Sequence, residues 1–307
     1  MKKIFISTAS FGEFDRAPLD LLKEAGYEAG MNTNGRSLAK DEIVKLASGA
    51  VGIVAGTEPL DRDNMARLPG LKVISRCGAG MDNVDLKAAA ELGIRVFNTP
   101  DAPTLAVAEL TVGLLLNLLR RTSQMDREIR GGKWKKRMGN LLSGKRVGII
   151  GFGRIGRKVA ELLGPFKCEL TYYDIKDAAG QPAAGAKKTG LDELLSTSDI
   201  VLIHISKTKE GYLLGENELK KIKKLAWVVN VSRGGMVDET ALCRALKDGS
   251  LSGAAMDVFE QEPYQGPLKE MENVILTPHI GSYAREARIQ MEVEAVKNLL
   301  KGLEDIK

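Results

Sequence analysis

Histidine is scarce in this chain, with only His204 and His279 among 307 residues. Cysteine is nearly as rare: Cys77, Cys168 and Cys243 are odd in number, far apart and without metal-ligand spacing. Free thiols in a reducing cytosol follow, with neither a disulfide framework nor a bound metal. No apolar run approaches the ~18 residues needed to cross a bilayer, so no membrane association is expected. The opening Met1-Lys-Lys-Ile-Phe-Ile-Ser7 is too short in its apolar part for a signal peptide and reads as a first β-strand. Charge of one sign is also lacking: 45 basic against 40 acidic residues leave a formal +5, too even to suggest nucleic acid. The basic runs Lys133–Arg137 and Lys220–Lys224 read as solvated faces, and the slight positive balance favours an acidic small molecule. There is no tandem repeat and no low-complexity tract.

What is present is an ordinary globular composition, 44% hydrophobic and 28% charged, long enough for two domains. Short β-branched runs alternate with helical patterns. The first series of strands is Ile4–Ser7, Val51–Ala55, Lys72–Arg76 and Ile94–Asn98, with a helix at Ser37–Ser48 capped by its serine. The second series is Arg146–Ile150, Leu170–Asp174, Ile200–Ile205, Trp227–Val231, Gly253–Val258 and Val274–Thr277. Such alternation predicts parallel βαβ units covered on both faces, an α/β fold. Between the series, Thr104–Arg120 is apolar nearly all round and reads as a buried helix, entered through Pro100 and Pro103 near a hinge at Asn98–Pro100. A last helix, Ala284–Leu300, is expected to fold back onto the first domain.

Gly151, Gly153 and Gly156 form a G-x-G-x-x-G that closes one apolar strand and opens an amphipathic helix, the setting in which the pattern carries information. The first glycine serves the sharp turn, the second lets a pyrophosphate approach, and the third lets helix and strand pack closely. The phosphates then face the positive end of the helix, with Arg154 and Ile155 opening its first turn. Asp174 ends the next strand 18 residues beyond Gly156, where a carboxylate binds the adenosine ribose and repels a 2′-phosphate. NAD is favoured over NADP, although Lys176 softens the preference.

Three strand ends carry polar groups that a packed core does not need. Arg233, before two glycines, offers two parallel permanent donors suited to a substrate carboxylate. Asp257, Glu260 and Glu262 cluster before Pro263. In Thr277-Pro-His-Ile-Gly281, His279 is the side chain best suited to exchange a proton with an alcohol near neutral pH. A carboxylate beside it would fix its tautomer. His204, within a strand, reads as structural.

In order along the chain, Arg76-Cys-Gly-Ala-Gly-Met-Asp-Asn-Val-Asp85, Phe97-Asn-Thr-Pro100, Gly151–Gly156, Ser232-Arg-Gly-Gly-Met-Val-Asp-Glu239, Asp257–Pro263 and Thr277–Gly281 resemble the D-isomer-specific 2-hydroxyacid dehydrogenase family. The similarity runs from about Leu71 to Ser282. It implies two Rossmann-like, doubly wound parallel-sheet domains with the active site in a cleft between them. Residues 1–99 plus 282–307 would form a flavodoxin-like substrate domain and 100–281 the NAD domain. The family's catalytic arginine, glutamate and histidine fall on Arg233, Glu262 and His279; the proline that follows selects Glu262 over Glu260. The substrate-carboxylate loop falls on Gly78, Ala79 and Gly80, beside Arg76. Asp257 takes the position that holds the nicotinamide carboxamide, and Val231 and Ser232 that run beside its ring. A cytoplasmic homodimer through the NAD domains, with the 104–140 region contributing, is also implied.

The expected reaction moves a hydride between NAD and C2 of a small D-2-hydroxy acid. The phosphoglycerate enzymes of the family look most similar, which points to 3-phosphoglycerate and 3-phosphohydroxypyruvate. Glyoxylate, hydroxypyruvate or another 2-keto acid is the alternative. Many phosphoglycerate enzymes carry an arginine near the end of the third strand, where this chain reads Val54-Ala-Gly-Thr-Glu58. Ile205-Ser206 replaces a family Thr-Pro after His204. With the chain ending at Lys307, serine feedback through a regulatory domain is not expected. An NAD-responsive binding protein, like the corepressors of this fold, is the reading from another class.

Overall fold

The apolar runs of the N-terminal third become strands because both faces of their sheet are covered. In chain order the elements are β1 (Lys2–Ile6), α1 (Ala17–Glu24), β2 (Tyr27–Met31), α2 (Lys40–Leu46), β3 (Ala50–Ala55), α3 (Arg62–Ala66), β4 (Val73–Arg76), α4 (Leu86–Glu91) and β5 (Arg95–Asn98). They form an all-parallel sheet in the order β2-β1-β3-β4-β5. Neighbouring residues on a strand point to opposite faces. Ile4, Ile6, Val54 and Val73 enter one core; Phe5, Ile53, Ala55 and Ile74 enter the other.

The computed structural model describes residues 2–176, 183–206 and 211–306. They divide into a first unit, Met1–Pro103 with Ser282–Lys307, and a second, Thr104–Gly281. The second contains α5 (Thr104–Arg120), α6 (Thr122–Arg130), β6 (Arg146–Ile150), α7 (Arg154–Leu163), β7 (Glu169–Tyr173), β8 (Lys187–Lys188), α8 (Leu191–Thr197) and β9 (Ile200–Ile203). It continues with α9 (Glu216–Lys221), β10 (Ala226–Asn230), α10 (Glu239–Lys247), β11 (Leu251–Met256) and β12 (Val274–Leu276). Its sheet, also all parallel, runs β12-β11-β10-β9-β6-β7-β8. The last helix, α11 (Arg285–Glu304), packs on α1, β3, β4 and β5 of the first unit through Met291, Val296 and Leu299. Both units are thus doubly wound α/β folds.

Several boundaries differ from the sequence reading. Helix α2 starts at Lys40 rather than at Ser37, because the Glu42 carboxylate accepts the Ala39 N–H at 2.7 Å and closes the first turn there. Strands β2 and β8 lie at sheet edges and carry Glu28, Lys187 and Lys188, so they lack the apolar run that marks the others. Helix α5 spans Thr104–Arg120 as read, yet it is not buried all round: Leu105 is 51% exposed. Among the described residues no helix is long and apolar enough to cross a membrane.

Candidate active site

Register organises the functional end of the second unit. Ile150 pairs with Ile203, Ile203 with Asn230, Asn230 with Met256, and Met256 with Leu276, so five strands finish in one row. The residues that leave this row are Gly151, His204, Val231, Asp257 and Thr277. The row continues one rung further through backbone bonds: His204 N–H to Ile150 C=O, Asp257 N–H to Asn230 C=O and Thr277 N–H to Met256 C=O, 2.7–3.0 Å. Ligands of open parallel sheets bind beyond these carboxyl ends, where strand order reverses; here that is between β6 and β9.

At the β6–α7 turn Gly151 has φ +92°, a left-handed conformation that glycine adopts without penalty. A Cβ at Gly156 would stand 2.1 Å from the Gly151 carbonyl oxygen, so helix and turn touch backbone to backbone. A Cβ at Gly153, which caps α7, would meet nothing within 4 Å. Space is thus open at Gly153, beside the first turn of α7 with Arg154 and Ile155, whose N–H groups have no intrahelical acceptor. Asp174, leaving β7, accepts from Phe152 N–H at 2.7 Å and from Lys176 N–H at 2.9 Å. Both bonds aim its carboxylate at the glycine turn. These residues fit a dinucleotide: a helix end open to pyrophosphate and a fixed carboxylate for ribose hydroxyls.

The turn after β10 carries Arg233. Asn230, fully buried, clamps it: its Oδ1 accepts from Ser232 N–H and Oγ–H, and its Nδ2 donates to Arg233 C=O. Val231 and Ser232 are buried, while Arg233 is part-buried and donates from Nη1 to Ser232 C=O at 2.7 Å. A Cβ on Gly234 would fall 1.7 Å from the Phe259 carbonyl oxygen, so the Arg233 turn lies hard against the Phe259–Glu262 turn.

That second turn sorts the three acids. Glu260 gives its N–H to Glu239 Oε1 and its carboxylate takes the Tyr212 hydroxyl. Glu262 Oε1 accepts from Phe259 N–H at 3.1 Å, and Oε2 lies 2.9 Å from His279 Nδ1. Burial works to raise the Glu262 carboxyl; the His279 hydrogen bond and charge, the Phe259 N–H and the Arg233 charge outweigh it and hold it below its ordinary value. A carboxylate only accepts, so Nδ1 carries the proton and Nε2 keeps its lone pair. The imidazole is 43% exposed.

Asp257 binds the histidine turn. Its Oδ1 accepts from the Thr277 hydroxyl at 2.6 Å and Ile280 N–H at 2.9 Å; its Oδ2 accepts from Gly281 N–H at 2.9 Å. Burial pushes this carboxyl up, and these bonds with the His279 charge oppose it. Thr277 and Asn230 were not singled out from sequence; the only available signal was a polar residue at the end of an apolar strand.

In the first unit, Arg76 ends β4 and its guanidinium covers the loop, donating to Cys77 C=O and packing on Gly78. Gly78 N–H goes to Thr99 Oγ1 at 2.8 Å. Ala79 and Gly80 are the loop residues whose N–H groups have no acceptor among the described residues. His204 is half-buried, but both of its ring nitrogens are buried without a partner among the described residues, and that desolvation pushes the ring down to about 3. No group of three His, Cys, Asp or Glu residues that could hold a metal occurs among the described residues.

Residues 112–281 match the D-isomer specific 2-hydroxyacid dehydrogenase, NAD binding domain. A glyoxylate reductase of Thermofilum pendens is 44% identical over 258 residues, 80% of this chain and 76% of the relative. A D-3-phosphoglycerate dehydrogenase of Archaeoglobus fulgidus is 36% identical over 297 residues, 93% of this chain, which spans 55% of that longer relative. The crystal structure of the TT0316 protein from Thermus thermophilus superposes with a TM-score of 0.90 at 37% identity, covering 99% of this chain and 97% of the other. Sequence, fold and family match converge, and the chain belongs to the D-isomer specific 2-hydroxyacid dehydrogenases, NAD-dependent oxidoreductases of small hydroxy and keto acids.

Proposed function

We propose that this chain reduces a small unphosphorylated 2-keto acid, of the size of glyoxylate or hydroxypyruvate, to the D-2-hydroxy acid, with His279 as acid/base. The observation that carries this is the 2.9 Å bond from His279 Nδ1 to Glu262, which leaves Nε2 as the proton-transfer atom. In reduction Nε2–H hands its proton to the carbonyl oxygen as alkoxide character develops; in oxidation Nε2 removes the hydroxyl proton. Glu262 orients the ring and stabilises its charged form. Arg233, close enough to lower Glu262, holds the substrate carboxylate and polarises the carbonyl. Gly151–Gly156 and Asp174, with Val231, Ser232 and Asp257, would hold NAD, which would supply or accept the hydride when bound. In the first unit the N–H groups of Ala79 and Gly80, with Arg76, serve the substrate carboxylate.

Two facts favour an unphosphorylated substrate over the phosphoglycerate pair expected from the sequence. No Lys or Arg occurs from Val51 to Asp61. The group after β3 is Glu58, 1% exposed, accepting from Ser7 Oγ–H and Gly56 N–H, with burial pushing its carboxyl up. A dianionic phosphate gains nothing there. The phosphoglycerate reading is kept alive by the Archaeoglobus relative. Steady-state assays with NADH on glyoxylate, hydroxypyruvate and 3-phosphohydroxypyruvate decide: the first two should exceed the third in kcat/KM, and the reverse order would overturn the substrate assignment. Assembly as a homodimer through residues 104–140 is proposed on the exposure there of Trp134 and Met138, 85% and 90%. Light scattering showing only monomers would refute it.

A further inference from the structure

His279 does not rest in an ordinary conformation. Its φ is +55°, in the left-handed region that costs a non-glycine residue about 1–2 kcal/mol. Such a backbone persists only where its surroundings over-determine it. The surroundings are almost wholly one residue. Asp257 C=O accepts the His279 N–H at 2.9 Å, and the Asp257 carboxylate takes the Thr277 hydroxyl, Ile280 N–H and Gly281 N–H. Four donors from a five-residue turn therefore end on Asp257. The clamp has no slack: Asp257 is 0% exposed, and a Cβ at Gly281 would sit 3.3 Å from both Asp257 Oδ2 and Val107 Cγ2.

We infer that Asp257 is a positioning residue that imposes the left-handed backbone of His279 and so aims Nε2, beyond the nicotinamide contact that the family resemblance implies for it. Because successive turn residues change direction about φ, releasing the Ile280 and Gly281 N–H groups lets His279 relax toward negative φ. The ring then swings away from Glu262. The two roles differ in what they predict. A cofactor contact alone is felt in NADH affinity. A clamp is felt in kcat at saturating NADH and in the state of the ring. The inference rests on His279 as acid/base.

The test uses Asp257→Asn, Thr277→Val and Thr277→Ser in the full-length enzyme, with His279→Ala as reference. NADH Kd is read by fluorescence quenching, kcat and KM on glyoxylate. The His279 imidazole is followed by NMR, His204 being the one other histidine. Asp257→Asn, whose one remaining oxygen cannot serve all three donors and whose N–H₂ faces an N–H, should lower kcat about 10²-fold with NADH Kd and substrate KM within threefold of wild type, and should shift the His279 ring signals. Thr277→Val, which removes one of the four bonds, should lower kcat about tenfold, and Thr277→Ser should restore it. Should Asp257→Asn fail to fold, the threonine pair carries the test. Weakened NADH binding with unchanged kcat and an unchanged His279 spectrum would overturn the inference. An active His279→Ala would instead overturn the acid/base assignment beneath it.

Discussion

Glu262 Oε2 and His279 Nδ1 meet at 2.9 Å although they leave different strands, β11 and β12. The pair depends on the row in which those strands end and on the turns that follow. Asp257 fixes the histidine turn, and Gly234 against Phe259 fixes the glutamate turn.

Replacing Glu262 by Gln should lower kcat about 10²-fold or more, since a neutral amide no longer stabilises the charged ring. The pair also contributes to stability with a defined sign. The folded-state carboxyl lies below its ordinary value near 4.5. Its contribution is therefore fully present above that pH and is lost as pH falls through the lower folded value. The difference in thermal midpoint between wild type and Glu262→Gln should shrink as pH falls from 4.5 through the lower folded value. A difference that grows in acid would contradict the assigned ionisation.

Cofactor choice follows from Asp174, whose carboxylate is held at the glycine turn by Phe152 and Lys176 N–H. A 2′-phosphate brought beside it meets like charge costing several kcal/mol, on the order of 10²-fold in affinity or more. Wild type should prefer NADH by that margin, and Asp174→Ala should erode the preference chiefly by improving NADPH. Equal use of both cofactors by the unmodified enzyme would remove Asp174 from this role.

Much of this was legible in the chain because parallel strands buried on both faces are written as unbroken apolar runs. Ile149, Leu202 and Val229 entering one core, and Ile150, Ile203 and Val228 the other, announce β6, β9 and β10 directly. Edge strands β2 and β8 carry no such run and were missed. The polar ends were legible as residue types and not as contacts. As residue types Asp257, Glu260 and Glu262 look alike, and only the family resemblance separated them in the sequence; in the structure Asp257, leaving β11, takes Thr277, while the turn that follows sends Glu260 to Tyr212 and Glu262 to His279. The assignment of Gly78 N–H to Thr99, 21 residues away, depends on a pairing of β4 with β5 that no local pattern encodes. The left-handed backbone of His279 is imposed from Asp257, not by any preference of histidine.

Packing at Gly234 makes a stability prediction. Its Cβ would meet the Phe259 carbonyl oxygen at 1.7 Å and carbon at 2.3 Å, both backbone atoms that cannot rotate aside. Gly234→Ala should cost about 3 kcal/mol and depress kcat, because the same contact spaces Arg233 from Glu262. Gly113→Ala, on the exposed side of α5 where a Cβ meets nothing within 4 Å, should hold or raise the urea midpoint. Similar midpoints for the two variants would show that the contact yields more readily than its geometry implies.

The second histidine gives a pH signature of its own. Burial holds His204 neutral down to about pH 3, whereas the same ring in the unfolded chain takes a proton near 6.5. Below 6.5 the unfolded state binds the extra proton, so His204 lowers stability progressively as pH falls, by up to about 1.4 kcal/mol per pH unit, and contributes no slope above that pH. Both ring nitrogens are also buried without a partner among the described residues, a desolvation cost present at every pH. His204→Leu should therefore be at least as stable as wild type at pH 7.5, and its advantage should widen between pH 6.5 and 4. Chemical denaturation at four pH values across that range measures the widening. Parallel curves would mean that His204 takes its proton in the folded state.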